Sequence, residues 1–418
     1  MFGCGESIGR GSFVFRDEVA QAVYPRQADR LRHHDGIDQD TLEAALDGRG
    51  RARRALLAAG GVLGLLAAVG PAFATFAEPG DAEPRAQLPT SSGAAQTGRI
   101  HTVPSTSDTV RLGVFDATLP NIVDVDSGDV VVYPDTWTHF LNRVQPGVPI
   151  EELAQLRRSN PGKGPHSIVG PVGVRDAEPG DMIAIHYQRL LPLEWGVNFN
   201  NPGDLGTGAL PEEFPDGQVR YFDFDLGSMT TSFLPGISLP LAPFQGTFGL
   251  APAQGGIVSS VPPGQHAGNV DLRDLTEGSI LYVPVWQPGA KLYTGDSHAL
   301  QGDGEVNLTA LETAMREVRI QVILHKQAGW EWPFAETDTH WYALGMHQDL
   351  TEAFKIALRN TLDFLERKGG LTRLDAYALA SIAVSFRVTQ VVDANKGVHG
   401  MIPKSLFSDD RLQGISIV

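Results

Sequence analysis

The order of apolar and polar residues predicts a chain built mostly from β-strands. Short apolar or alternating runs at residues 110–115, 129–133, 182–187 and 280–285 have the length and period of strands. Turn residues such as Gly-Asp and Pro-Gly lie between the runs. The pattern therefore predicts a mostly β fold, a β-sandwich or barrel-like arrangement that is α+β overall and contains a few helices.

Three segments have the period of a helix instead, at residues 150–158, 350–368 and 371–384. The second segment carries apolar residues along one predicted side, at Leu350, Phe354, Leu358, Leu362 and Leu365. Two glycines follow it, as is typical of helix ends. In the third segment, Thr372 and Asp375 stand where an N-cap residue and a first-turn acid are expected. Two of the predicted helices thus lie near the C-terminus.

A segment near the N-terminus has the composition of an export signal. A basic stretch that contains the pair Arg53-Arg54 precedes an apolar run over residues 55–77, which ends in small residues. The arginine pair indicates the twin-arginine variant of such signals. The run also has the length of a membrane span, about 20 residues, so an uncleaved anchor is the alternative. Both interpretations predict an exported protein that is periplasmic, extracellular or membrane-tethered, with no other membrane contact.

This segment divides the chain into four predicted regions. Residues 1–50 precede it as a leader, or as a product of start-codon choice, and residues 51–77 form the signal or anchor. Residues 78–101 are rich in Pro, Ala, Ser and Gly and are predicted to form a flexible linker. Residues 102–418 form the globular unit, because the predicted strands and helices all lie there.

Charge and cysteine content exclude several classes of function. The chain of 418 residues has a net charge of -16, and an acidic protein is a poor ligand for nucleic acid phosphates. The one cysteine, Cys4, lies before the export segment. The exported part is therefore predicted to contain no disulfide, no zinc–thiolate site and no cysteine nucleophile.

Polar residues that suit a catalytic site are concentrated between residues 263 and 312. Three pairs share the spacing i, i+2: Asn269 with Asp271, Asp296 with His298, and Asp303 with Glu305. In extended segments, each pair would point to one face of a sheet. Carboxylates and an imidazole that converge in this way can bind a divalent metal and provide a general base. For Asp303, within a Gly-Asp-Gly segment, a turn residue is the alternative.

One histidine outside this stretch is a further candidate. His166 follows Pro165 in a loop rich in glycine and proline, and such loops often carry site residues. The alternative for a single loop histidine is a solvated side chain with no role in chemistry. Its neighbours in the chain do not decide between the two.

Several of these segments together resemble the acetamidase/formamidase family. The similar motifs follow one another in the family's order, at residues 164–166, 177–181, 244–249, 268–271 and 295–305. The resemblance extends over roughly residues 111–407. It implies that residues 102–418 are a catalytic unit that hydrolyses formamide, acetamide or a similar small amide to ammonia and a carboxylate. It also implies a mostly β fold, assembly into homo-oligomers and metal ions as plausible cofactors. The chain departs from the family at Ala267-Gly268, where two glycines are usual, and in its export signal.

A metal-assisted mechanism is the leading hypothesis for the site. Asp271, Asp296 and His298 are predicted to bind a divalent metal, with zinc as the first candidate. Glu305 is predicted to act as general base and then as general acid, with Asp303 as the next candidate for that role.

Two more residues complete the predicted site. His166 and Asn269 are predicted to orient the amide carbonyl or the oxyanion that develops from it. In an alternative without metal, Glu305 activates water directly and His298 protonates the leaving ammonia. A second alternative is an exported, non-catalytic small-molecule-binding protein on the same fold.

Overall fold

The computed structural model of the chain describes residues 98–418. The predicted leader (1–50), the predicted signal or anchor (51–77) and residues 78–97 of the predicted linker lie outside the described residues. Strand β1 (Ile100–Thr102) begins inside the last part of the linker range. Among residues 98–418, no helix is long and apolar enough to cross a membrane.

Most of the ordered backbone in residues 98–418 is strand. After β1, the strands are β2 (Val110–Leu112), β3 (Val114–Asp116), β4 (Val123–Val125), β5 (Val130–Pro134), β6 (Ser167–Val174), β7 (Met182–Pro192), β8 (Trp195–Asn200), β9 (Gln218–Asp225), β10 (Thr230–Leu234), β11 (Ile237–Pro240), β12 (Phe244–Leu250), β13 (Ile257–Ser259), β14 (Ala267–Asn269), β15 (Ile280–Pro284), β16 (Leu292–Leu300), β17 (Leu311–Thr313), β18 (Met315–His325), β19 (Phe334–Glu336), β20 (His340–His347), β21 (Ser385–Gln390) and β22 (Lys396–Pro403). All four strand segments predicted from the sequence contain strand, and the first is divided in two at Gly113.

The strands form two large sheets and one small pair. The nine-stranded sheet has the order β1-β5-β18-β7-β15-β19-β20-β22-β21. The eleven-stranded sheet has the order β11-β10-β9-β8-β17-β16-β12-β14, and β6 joins it by pairing with β16, β2 and β4. Strands β3 and β13 pair with each other. Almost all neighbours are antiparallel, so short turns suffice to connect many of them.

The two large sheets pack face to face around one apolar core. Ile183 and Val283 of the nine-stranded sheet belong to the same buried cluster as Phe248 and Leu292 of the eleven-stranded sheet. Apolar side chains from two facing sheets form the core of a β-sandwich. The prediction of a mostly β, sandwich-like α+β fold is therefore confirmed.

The first four residues of strand β7, Met182-Ile183-Ala184-Ile185, show why a strand can be apolar without interruption. Ile183 and Ile185 point into the core between the sheets, whereas Met182 and Ala184 belong to a second cluster on the opposite face. That second cluster also contains residues of the C-terminal helices, such as Leu365. A strand that is covered on both faces has no position for a polar residue.

Apart from a single turn at His139–Asn142, in which Phe140 and Leu141 have positive φ, the helices are α1 (Ile150–Arg158), α2 (Leu350–Arg367), α3 (Arg373–Ala383) and the short α4 (Asp409–Leu412), with 3₁₀ turns at Gly203–Leu205 and Lys404–Leu406. The three predicted helices are confirmed to within a few residues. Thr372 is the N-cap of α3, and its side chain accepts a hydrogen bond from the backbone N–H of Asp375. The sequence therefore indicated both the start of this helix and the reason for it.

The apolar side predicted for α2 is not buried along its whole length. Leu350 and Phe354 remain 38% and 40% exposed, whereas Ala353 and Ala357 are buried. The cause is the close approach of the helix to strand β20 at Gly345. A Cβ atom at Gly345 would lie 2.5 Å from the carbonyl oxygen of Ala353, so only small residues fit at this contact.

Candidate functional site

Strand β16, in the middle of the eleven-stranded sheet, carries Asp296 and His298. It pairs with β12 on one edge and with β6 and β17 on the other, so its side chains are almost entirely buried. Asp296 has a positive φ of 59°, a conformation that an L-residue adopts only under local constraint. Nε2 of His298 lies 3.3 Å from Oδ1 of Asp296. The structure therefore brings this predicted pair together as an ion pair.

Asn269 and Asp271 approach the same place from β14. Asn269 ends that strand, and its Oδ1 accepts a hydrogen bond from the hydroxyl of Thr247 on β12. Asp271 has a φ of 49° and is 1% exposed. Its backbone N–H donates a hydrogen bond to the carbonyl of Gly246 on β12, which fixes the backbone of Asp271 next to that strand. Both members of this predicted pair thus belong to the site.

Gly246 keeps a small space open between the three predicted metal ligands. A Cβ atom on Gly246 would lie 2.5 Å from Oδ1 of Asp271, 2.7 Å from Oδ2 of Asp296 and 2.5 Å from Cε1 of His298. These distances are shorter than any ordinary van der Waals contact. The three side chains therefore converge on a volume that any residue larger than glycine would fill.

His166 reaches the site from the loop before β6. Its carbonyl accepts a hydrogen bond from Gly113, and its Nδ1 lies 2.7 Å from Oγ of Ser260. Nε2 is thereby directed toward Asp296, whose Oδ2 is 3.9 Å away. Burial lowers the pKa of His166 to about 4, so the imidazole is neutral at pH 7. The alternative of a solvated loop histidine is wrong, because the side chain is buried.

The last predicted pair is divided by a turn. Glu305 is buried in the site, whereas Asp303 is partly exposed and lies 3.6 Å from the guanidinium of Arg387. Gly304 and Glu305 have positive φ values of 99° and 45°, so the segment is not extended. The side chains of Asp303 and Glu305 therefore do not point to one face, as the i, i+2 spacing predicts for a strand. Among the sequence-predicted site residues, Asp303 is the one that the structure places outside the group.

Two residues with no role predicted from the sequence, His139 and Glu312, lie at the centre of the site. Nε2 of His139 lies 2.7 Å from Oδ1 of Asp296 and 3.3 Å from Oε2 of Glu312. Nε2 of His298 lies 3.2 Å from the same Glu312 oxygen. Two imidazoles and two carboxylates therefore form one buried network.

A weak signal for Glu312 is present in the sequence. It stands in the apolar run Ala310-Leu311-Glu312-Thr313-Ala314, and glutamate is rarely buried in such a run unless it has a partner. His139 and Asp393, which also reach the site, have no comparable signal. Both come from segments that are remote in the chain from the predicted pairs.

Burial and neighbouring charges shift the pKa values in opposite directions within the network. Burial raises the pKa of Asp271 and of Glu305 well above the usual carboxyl range. Burial acts in the same direction on Asp296, but the positive charge of His298 outweighs it and holds the pKa low. Burial lowers the pKa of His298, yet Glu312 and Asp296 raise it well above the usual imidazole value. The site therefore contains an ion pair between His298 and Asp296, next to two carboxyl groups, Asp271 and Glu305, whose pKa values are raised.

The network forms the wall of a cavity of about 460 Å³. The predicted site residues that line it are His166, Asn269, Asp271, Asp296 and Glu305. His298 lies behind this wall and is 1% exposed. The rest of the cavity is lined by apolar side chains such as Phe140, Phe199 and Val392, by polar ones such as Asn201 and Thr309, and by the charged residues Arg157, Lys396, Glu312 and Asp393. Such a mixture suits a small organic ligand.

Buried groups in residues 98–418 could hold a metal ion. Three sets have ligand atoms within 4.8 Å of one another: His139, His166 and Asp296; Asp271, His298 and Glu305; Asp296, His298 and Glu312. The predicted ligands Asp271 and Asp296 each fall in a set with His298, though not in the same one.

Unpaired oxygens in these sets support the fit to a cation. Both carboxylate oxygens of Asp271 are buried and have no hydrogen-bond partner among residues 98–418. A buried ionised carboxylate with no partner is costly. A cation in the space beside Gly246 would satisfy the charge of Asp271.

Comparison with known proteins agrees with the resemblance in the sequence. The model of the Acetamidase/Formamidase family matches residues 119–259 and 254–409, more than half of the chain. An acetamidase of Mycolicibacterium smegmatis is 27% identical over 199 residues, which cover 34% of this chain and 49% of that protein. A formamidase of Methylophilus methylotrophus is 26% identical over 200 residues, which cover 36% of this chain and 49% of that protein.

The chain thus spans about half the length of the curated relatives it matches. The likeness to solved structures extends further. The crystal structure of an acetamidase from Bacillus halodurans is 28% identical, with a TM-score of 0.65, and covers 73% of this chain and 98% of its own.

Proposed function

The chain belongs to the acetamidase/formamidase family, and we propose from this that it hydrolyses the C–N bond of a small linear amide to ammonia and a carboxylate. The observation that carries the proposal is the buried network of imidazoles and carboxylates on the cavity wall. A protein that only binds an amide has no need of so many converging acids, because each costs free energy to bury. Export through residues 51–77 and assembly into a homo-oligomer remain part of the proposal.

The proposed reaction needs a group that moves protons. Water attacks the carbonyl carbon, the C–N bond breaks, and the nitrogen leaves as ammonia. Glu305 lies buried on the cavity wall, where it can accept a proton from water and return it to the leaving nitrogen. The raised pKa of Glu305 suits the second step, because its carboxyl group holds the proton until the nitrogen takes it.

Two neutral groups can orient the carbonyl. When Ser260 donates to Nδ1 of His166, the proton of the imidazole is on Nε2, the nitrogen directed toward Asp296. The Oδ1 atom of Asn269 accepts from Thr247, which leaves its NH₂ group as a donor. Donors that are fixed before the reaction stabilise the oxyanion without further reorganisation.

Asp271, Asp296 and His298 would hold a divalent metal, with zinc as the first candidate because zinc accepts imidazole and carboxylate ligands. Such an ion, when bound, polarises a carbonyl and lowers the pKa of a bound water. The unpaired oxygens of Asp271 and the gap at Gly246 favour this model over the one without metal. In the latter, Glu305 activates water alone and His298 protonates ammonia.

The test is ammonia release by the full chain from formamide, acetamide and longer amides, with and without added zinc, together with elemental analysis. Turnover by the parent and loss of turnover in Asp296→Asn support the proposal, because Asp296 lies in two of the three candidate metal sets. If no amide is hydrolysed under any condition, the enzyme model is wrong and the binding-protein alternative takes its place.

A further inference from the structure

Two basic side chains line the same cavity as the acidic network. Arg157 is at the end of α1, and Lys396 is the first residue of β22. The acids Asp271 and Asp296 come from the region of β14 and β16. Nothing in the proposed hydrolysis of formamide or acetamide uses a cation at these two positions.

Neither cation has a carboxylate within ion-pair distance among residues 98–418. Nη1 of Arg157 donates to the carbonyl of Lys163 at 2.9 Å, its one side-chain hydrogen bond within the described part of the chain. Lys396 has no side-chain hydrogen bond there. The next residue along α1 provides a contrast, since Arg158 lies 2.9 Å from the carboxylate of Asp204.

Arg157 is also half-buried, and burial lowers its pKa. A guanidinium that has lost water and gained only one carbonyl partner retains unused donors. Such donors form charge-assisted, often bidentate hydrogen bonds with a carboxylate. The position of Arg157 in the cavity wall makes those donors available to a bound molecule.

The size of the cavity points in the same direction. Formamide has three non-hydrogen atoms, whereas cavities of about 300–1,000 Å³ hold drug-sized ligands, and this cavity measures about 460 Å³. Apolar side chains such as Leu308 and Val391 belong to its lining. A short aliphatic chain would cover such a surface.

We propose that the substrate is a linear amide with a carboxylate at its far end, which Arg157 and Lys396 bind while the amide faces the acidic network. This inference rests on the proposed amidase function and specifies its substrate class. The reaction adds water to the amide carbonyl, breaks its C–N bond and releases ammonia and a dicarboxylate. The acids near Asp271 would repel the carboxylate and so set the orientation of the substrate.

The experiment compares kcat/KM of the full chain for malonamate, succinamate and glutaramate with neutral amides in which an isopropyl group replaces the carboxylate. The parent is expected to prefer at least one anionic amide. Arg157→Met and Lys396→Met should each lower the ratio of anionic to neutral kcat/KM by roughly 10-fold to 100-fold, the effect of one charged hydrogen bond. Arg157→Lys and Lys396→Arg, which keep the charge, should restore part of it.

Arg158→Met and Lys355→Met are matched controls, because both remove a positive charge whose partner is an exposed acid outside the cavity. They should leave the ratio unchanged. If neutral amides are hydrolysed as well as anionic ones, or if the cavity variants behave like the controls, the inference is wrong and the amidase function stands. If no amide is hydrolysed, the amidase function fails. Calorimetric binding of succinamate to the parent and to Lys396→Met then decides the inference, and equal affinities overturn it.

Discussion

Two glycines in two buried faces of this molecule show how the surroundings give one residue type different roles. Gly345 lies under helix α2, where an added Cβ would contact the backbone of Ala353 and Ala357. Gly246 lies under the cavity, where an added Cβ would contact the side chains of Asp271, Asp296 and His298. The first surroundings are apolar and the second are charged.

The apolar surroundings of Gly345 contribute to stability, whereas the charged surroundings of Gly246 serve the proposed chemistry. Around Gly345, neighbours such as Ala357 and Val398 gain free energy from burial, so close packing stabilises the fold directly. Around Gly246, the buried acids cost free energy, and the open space between them contributes nothing to packing. Changes in the helix-covered face should therefore affect stability, and changes in the cavity-facing network should affect turnover.

The largest expected effect tests the network. Glu305→Gln keeps the size of the side chain but removes its ability to accept a proton. General base catalysis contributes roughly 10²–10⁴ in rate, so kcat on a small amide should fall by about that factor while the unfolding midpoint stays near that of the parent. Asp303→Asn is the matched control, since Asp303 lies outside the cavity.

The same two variants can show that Glu305 is not the general base. If Asp303→Asn loses activity and Glu305→Gln does not, the base is Asp303. Because Glu305 falls in one candidate metal set, metal content is measured beside kcat. A Glu305→Gln protein that has lost its metal indicates a ligand and not a base.

Gly246→Ala should have the next largest effect. Its methyl group would occupy the space on which the three predicted ligands converge. Displaced ligands typically reduce metal affinity or activity by roughly 10-fold to 100-fold. Gly302→Ala is the control, because a Cβ at Gly302 meets no atom within 4 Å. Equal metal content and equal kcat in both variants would contradict the assignment of this space to a metal.

Gly345→Ala tests the role of the apolar face under helix α2. The new methyl group would press on the backbone of α2, which cannot move without shifting the helix. Overpacking of this kind costs about 1–3 kcal/mol, to be measured by urea unfolding against Gly414→Ala, where a Cβ has ordinary contacts. The folded fraction should keep the kcat of the parent. A loss of kcat without a loss of stability would show that the two faces are coupled.

The sequence predicted local features of the fold better than contacts between remote segments. Thr372 and Asp375 define the start of α3 because a helix cap depends on adjacent residues. Which part of the apolar side of α2 is buried did not follow from the sequence: Leu350 and Phe354 are exposed, because the packing of this half depends on a glycine in another strand. Hydrophobicity alone does not reveal that Gly345 brings two backbones together.

The same distinction holds in the site. Asp296 and His298 were predicted because they share a motif on one strand, and the structure places them in contact. Asp303 was grouped with Glu305 by spacing, but the positive φ values at the turn separate the two side chains. His139 was missed because a single histidine in an aromatic segment resembles an ordinary buried residue.

The smallest expected effect concerns the N-cap of α3, which is not part of the cavity lining. Thr372→Ala removes the hydroxyl that accepts from the backbone N–H of Asp375 and donates to its carboxylate at 2.7 Å. Loss of an N-cap costs about 1 kcal/mol, so the urea midpoint should fall slightly while kcat stays constant. Thr372→Ser keeps the hydroxyl and should retain most of the stability. Since this cap touches no residue of the charged network, a change in kcat for Thr372→Ala would mean that helix packing controls the geometry of the site. The helix-covered face and the cavity-facing network would then not control stability and turnover separately.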